Sequence, residues 1–395
     1  MIETKFKNRE VGLIPEDWRV EPIKRLCKVN GRIGFRGYNK SDLVPYGMGA
    51  YTIGGKHITH NELDLSDPDF ISWEKYYESP EIMVEKGNIV MAQRGTLGRA
   101  AYIKEDIGPA TINPSLVLLN HIKADAQYLH YIIVSDKITD VLINSGSQTS
   151  VPMISQAQIE NTLLPLPIQI EQSRIAKALS DVDDLISTTK KLIEKKLNIK
   201  QGAMQELLSG KRRLSGFTKG WVTTEVVSIT GKISRGQTLK SDEFCFGIIP
   251  VMAGGKQYAG FHNKANQKGR SITISGSGAS AGFVYLHNAP IFATDCSVIA
   301  ESDSFSLDFM YYLLLYRQED LYKLQTGGAQ PHVYPRDIEN IEIFVPTLKD
   351  EQQAIANVLL DMDSEISSLE SRLTKYQSLK QGMMQQLLTG KIRLI

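Results

Sequence analysis

The chain has 395 residues, 42% hydrophobic and 23% charged, with a formal net charge of +1, which excludes disordered and fibrous classes and exceeds one ordinary core. No apolar run approaches a membrane span, and the charged start MIETKFKNRE is not signal-like. Cys27, Cys245 and Cys296 lie far apart without CxxC spacing, which argues against a disulfide framework or structural zinc, so a cytoplasmic location is expected.

From the start, residues 1–165 read as a mixed α/β domain. Apolar runs such as GNIVMAQ and SLVLL predict short strands between glycines, and AQYLHYIIVSDKI predicts a closing helix. Charge is uneven here: Lys24 to Lys40 carries six basic residues and no acid, whereas 61–85 carries eight acids against Lys75. Residues 166–210 read as a long helix, with Pro167 ahead of it and Gly210 at its stop. Residues 211–346 return to mixed α/β character, with RSITISG and FVYL as strands and LDFMYYLLLYRQ as a helix. Residues 347–395 give a second long helix, stopped at Gly390, and a short tail.

Both helices carry a heptad frame. In the second, Ile355, Met362, Leu369, Tyr376 and Met383 share one core position, and Leu359, Ile366, Leu373, Lys380 and Leu387 the other. In the first the same frame gives Ile175, Val182, Thr189, Lys196 and Ala203, with Leu179, Ile186, Ile193, Lys200 and Leu207, so Thr189, Lys196 and Lys200 interrupt an apolar seam.

The chain also repeats itself. QGAMQELLSGKRRL at 201–214 and QGMMQQLLTGKIRL at 381–394 are identical at ten of fourteen positions, at an offset of 180. Glu171-Gln172 returns as Glu351-Gln352, and Ile175-Ala176 as Ile355-Ala356. Upstream, GGK at 54–56 echoes GGK at 254–256, and EDWRV echoes KGWVT. Each half is a variable domain followed by a near-constant helix. A helix of about 39 residues is roughly 58 Å long, so the second can pack beside the first only by running back. The expected fold is α/β (α+β): two globular mixed domains separated by two long helices in an antiparallel coiled coil, with a pseudo-two-fold internal repeat. That arrangement places Ile395 close to Val11–Pro15.

Catalytic motifs are absent. There is no P-loop and no HExxH, and GSGASAG at 276–282 lies between two predicted strands rather than at a helix start. Glycine-rich basic loops remain. In the first domain GRIGFRGYNK, GGKHITH and QRGTLGR supply Arg32, Arg36, Tyr38, Lys56, His57, Arg94 and Arg99. In the second ISRGQTLK, GGKQYAG and HNKANQKGR supply Arg235, Lys240, Lys256, Tyr258, Lys268 and Arg270. GSQTS and GGAQPH add Gln148, Gln330 and His332 just before the helices. Arg and Lys neutralise phosphates and read guanine edges, and Gln and Asn pair with adenine edges. These sets read as two DNA-binding surfaces. A two-headed adaptor with a coiled-coil spacer for protein partners is the alternative reading.

The layout, with EQxxIA opening each helix and QGxMQxLLxGKxRL closing it, resembles the specificity subunit of type I restriction-modification systems. The resemblance implies a non-catalytic chain whose variable domains are target recognition domains, each reading one half of a split double-stranded DNA site. It implies docking of two methyltransferase subunits and a restriction/translocase subunit, with S-adenosylmethionine, ATP and Mg2+ belonging to those partners. It places Glu171, Gln172, Gln201, Met204 and Leu207, with Glu351, Gln352, Gln381, Met384 and Leu387, on shared helices that contact other subunits.

Overall fold

The computed structural model describes residues 5–146, 152–239 and 247–395. It divides into two compact units, Met1–Thr188 with Leu373–Ile395, and Thr189–Arg372. Each unit therefore holds one variable domain together with a half of each long helix.

The two long helices span Gln169–Leu207 and Lys349–Leu387, each continuous over 39 residues. Both stop at glycine in the left-handed region, Gly210 at φ 70° and Gly390 at φ 69°, where a Cβ-bearing residue is disfavoured. None of the heptad seam positions in either helix is exposed. The lysines among the interruptions are explained by ion pairs. In the second unit Lys196 Nζ lies 2.7 Å from Glu365, and Lys200 pairs with Asp363. In the first unit Lys380 Nζ lies 2.6 Å from Asp183. Within each unit rising numbers on one helix meet falling numbers on the other, so the helix segments run antiparallel.

Each lysine also sits over a tyrosine ring that donates to the same aspartate. Lys380 lies 5.7 Å from the Tyr131 ring and Lys200 5.3 Å from the Tyr312 ring. Tyr131 Oη donates to Asp183 and Tyr312 Oη to Asp363, both at 2.6 Å. Burial and the neighbouring carboxylate push both phenols up. A lysine in a helical seam is thus paired with a carboxylate that a hydroxyl completes.

The variable domains share one topology. In the first unit an antiparallel four-stranded sheet runs Ala100–Tyr102, Ile89–Ala92, Leu116–Asn120, Lys28–Gly31. In the second the order is Val284–His287, Ser271–Ser275, Cys296–Ala300, Ser234–Arg235. Each unit adds a three-stranded sheet with one parallel pair. Gly49–Ile53 lies parallel to Ala110–Ile112 and antiparallel to Phe70–Ser72. Ile249–Met252 lies parallel to Phe292–Ala293 and antiparallel to Gly260–His262. The runs Ile89–Ala92 and Ser271–Ser275 are buried at every residue, as β-branched and small side chains allow in a sheet covered on both faces. The helices Ala126–Ile133 and Leu307–Tyr316 start at Asp125 and Ser306, whose side chains accept from Tyr128 N and Phe309 N. In each unit they join a core that includes the start of a long helix, at Ile175 and Leu179 or at Ile355 and Leu359.

The repeated motifs are the joints of this fold. Glu171 is 0% exposed; it accepts from Trp18 Nε1 at 3.0 Å and from Arg393 Nε at 2.7 Å. Glu351, also 0% exposed, accepts from Trp221 Nε1 at 3.0 Å and from Arg213 Nε at 2.9 Å. Gln172 and Gln352 donate to the carbonyls of Pro167 and Pro346, and accept from Asp125 N and Ser306 N. The arginine of each GKxRL thus closes on a glutamate at the start of the other long helix. This corrects the docking expectation for Glu171, Gln172, Glu351 and Gln352, which are buried inside the chain. Leu207 and Leu387 are buried in the cores as well. The expected closeness of the tail to the N-terminal strands holds within the first unit. A Cβ at Gly390 would lie 2.3 Å from Pro15 Cγ, and Arg174 Nη1 donates to Leu394 O at 3.3 Å.

Candidate nucleic-acid interface

The basic loops divide sharply into committed and exposed side chains. Arg32 is 7% exposed and donates to Ile112 O, Thr111 Oγ1 and Arg36 O at 3.2, 3.0 and 3.3 Å. Burial lowers the pKa of its guanidinium and raises that of the Tyr38 phenol, which lies beneath it and bonds Thr52 Oγ1 at 2.8 Å. His57 is 2% exposed; its Nδ1 accepts from Gly54 N at 2.9 Å, and its Nε2 lies 3.0 Å from Asp67 O. These three residues tie loops together rather than face a ligand, which corrects their assignment as DNA contacts. Arg36 reaches Glu81 at 3.4 Å, and Lys56 reaches Asp67 and Asp69 at 2.8 and 3.0 Å, contacts that raise the Lys56 ammonium pKa. The acidic run 61–85 thus neutralises part of the basic run before it. Arg94 and Arg99, on the loop between two sheet strands, are exposed; Arg94 Nε touches Met153 Sδ at 3.2 Å.

In the second unit Arg270 is the counterpart correction. It pairs with the buried Asp308 and with Glu301 at 3.2 Å, and donates to Asn288 Oδ1 at 3.0 Å. The carboxylates raise its pKa, and the burial of Asp308 makes the ion pair structural. Arg270→Ala is expected to cost about 3–5 kcal/mol of stability by orphaning Asp308, with an unchanged salt dependence of DNA binding; urea unfolding and salt titration check both halves.

Arg235, Lys256, Tyr258, Lys268 and Gln330 are exposed. Lys256 Nζ stands 5.4 Å over the Phe283 ring. Tyr258 Oη lies 3.3 Å from His287 Nδ1, and burial pulls the His287 pKa down to about 4. His332 stacks on the exposed Tyr334 with ring centroids 6.0 Å apart, and its backbone bridges to Ser277. Gly278 N donates to Pro331 O at 2.9 Å, so the GSGASAG turn and the GGAQPH loop form one surface. Gln148 and Lys240 lie outside the described residues.

Of the helix residues assigned to subunit contacts, Gln201 and Gln381 are exposed, and Met204 and Met384 are half-buried. Sequence reasoning gave no binding role to Tyr334, two residues after His332, or to Asp295 and Asn113, whose place only the strand register reveals. No group of three or more His, Cys, Asp or Glu among the described residues could hold a metal ion, and no helix there is long and apolar enough to cross a membrane.

A family model described as "Type I restriction modification DNA specificity domain" matches twice, at residues 15–197 and 219–380. The MjaVIII type I restriction enzyme specificity subunit of Methanocaldococcus jannaschii is 24% identical, covering 99% of this chain and 96% of its own length. The putative MjaX specificity subunit of the same organism is 26% identical, covering 99% and 97%. Among solved structures, the type I restriction-modification S subunit from M. genitalium superposes with a TM-score of 0.66 at 18% identity, covering 94% of this chain and 96% of that one. Each match covers one variable domain and most of the long helix that follows it, and the chain belongs to the family of type I restriction-modification DNA specificity subunits, in which the chain recognises DNA and partner subunits carry out the chemistry.

Proposed function

We propose that this chain reads an asymmetric, bipartite DNA target, one half-site per variable domain, and docks two methyltransferase subunits and a restriction subunit. The observation that carries this reading is one strand framework used twice with unlike loops upon it. In the first unit the exposed candidate cations include Arg94 and Arg99, with Lys56 held by Asp67 and Asp69; in the second they include Arg235, Lys256 and Lys268. A common framework with different exposed side chains is what two readers of different sequences require.

Partner docking follows from the same duplication. Gln201 and Gln381 occupy equivalent exposed positions of the repeated motif, beside half-buried Met204 and Met384. Two copies of one surface fit two copies of one partner. S-adenosylmethionine, ATP and Mg2+ belong to those partners.

Lys256→Ala tests the DNA face. Each phosphate contact releases about one counterion, so the slope of log K against log salt is expected to shrink by about 0.9, with the preferred sequence unchanged. An unchanged slope would remove the Lys256 loop from the DNA face.

A further inference from the structure

Superposing the two parallel strand pairs by register identifies one equivalent residue in each unit. Thr52 pairs with Thr111 and Met252 with Ala293, and GGK begins two residues after Thr52 and two after Met252. By that count Asn113 and Asp295 stand at the same place relative to GGK, each on the segment that leaves the parallel pair.

The glycines confirm the match. A Cβ on Gly54 would lie 2.6 Å from Asn113 Nδ2, and one on Gly254 would lie 3.2 Å from Asp295 Oδ2. In the second unit two further loops close on the same turn. A Cβ on Gly236 would meet Ala293 O at 2.7 Å, and one on Gly276 would meet Asp295 O at 2.9 Å. Three of the glycine-bearing loops thus converge on the turn that carries the half-exposed Asp295 side chain. Asp295 holds φ 44°, a left-handed conformation that few residues other than glycine, asparagine and aspartate adopt.

The two positions differ in hydrogen-bonding sense. Asn113 Oδ1 accepts from Ser115 N at 2.9 Å and from Ser115 Oγ, which fixes the amide orientation and leaves Nδ2 as its donor. Asp295 can only accept. Ser277 Oγ donates to its Oδ2, and its Oδ1 lies 3.7 Å from the guanidinium of Arg235, whose side chain is 60% exposed. A carboxylate is repelled by phosphate, so on a DNA face its partner is a base amino group, cytosine N4 or adenine N6. The neighbouring Arg235 is then held for an acceptor edge beside it.

We propose that Asn113 and Asp295 are specificity-determining residues at equivalent points of the two units, one a hydrogen-bond donor and the other an acceptor. This rests on the DNA-reading function above and adds the residues and the chemistry by which the half-sites differ.

Asp295→Asn is the direct test, because asparagine is isosteric and tolerates the left-handed backbone. The full chain, assembled with its methyltransferase subunits, is used to select from a randomised duplex library. The variant is expected to lose about tenfold of its preference at one base pair in one half-site, with the other half-site and the salt slope unchanged. Asn113→Asp, in the other unit, should alter only the other half-site, and it keeps the idea testable if Asp295→Asn misfolds. Unchanged selection by both folded variants, or an equal loss on every sequence, would overturn the proposal alone. A wild-type complex that selects no sequence would overturn the DNA-reading function and this proposal together.

Discussion

Glu171→Ala is expected to destabilise the first unit by about 3–5 kcal/mol, the range for removing one partner of a buried ion pair. Its carboxylate takes Trp18 Nε1 and two guanidinium donors of Arg393, and the Arg393 side chain is only 10% exposed. Asp17 Oδ1 holds Arg393 Nη1 at 2.9 Å, and this contact keeps the Asp17 carboxyl below its ordinary range. Trp18 Nε1 donates to Glu171, so without that carboxylate the indole would lose its acceptor in a fully buried site. Glu351→Ala should cost less, because Arg213 at 30% exposure can turn to water. Urea unfolding of the two variants checks the order. A loss below about 1 kcal/mol for Glu171→Ala would mean that the joint is not a stability element.

Leu359→Asp should be as severe in the second unit. Leu359 is fully buried, one turn from Ile355 in the core that also holds Phe309 and Tyr312. An unpaired carboxylate there costs several kcal/mol, and the seam it interrupts also carries the Lys196 and Lys200 pairs. Loss of the folded second unit, read by hydrogen exchange over 189–372, should accompany loss of partner assembly. Normal protection of those amides would refute the heptad frame.

The helices were legible because their signals are local or strictly periodic. Gly210, Gly390 and the heptad positions lie where a 3.5-residue period puts them. Lys196, Lys200 and Lys380 read as flaws in that period because their acids, Glu365, Asp363 and Asp183, lie off the frame on the facing helix. Glu171, Gln172, Glu351 and Gln352 were visible in the motifs but turn inward rather than toward a partner. Glu171 and Arg393 are repeated because they bind each other across 222 positions, a pairing that no single-sequence spacing displays. In the loops, composition identified basic glycine-rich segments but not which way each side chain turns. Arg32 meets its acceptors about 80 residues on, at Thr111 and Ile112, and Arg270 meets Asp308 38 residues on. The common topology of the variable domains was hidden because strand register, not residue identity, carries it.

In the proposed function, two unlike domains on one repeated framework read two unlike half-sites. Its most direct test is selection by the wild-type complex from a randomised duplex library, followed by sequencing of the bound duplexes. Two different enriched blocks separated by a gap of fixed length and free sequence are expected. A single contiguous block, a palindrome, or no enrichment at all would contradict that function.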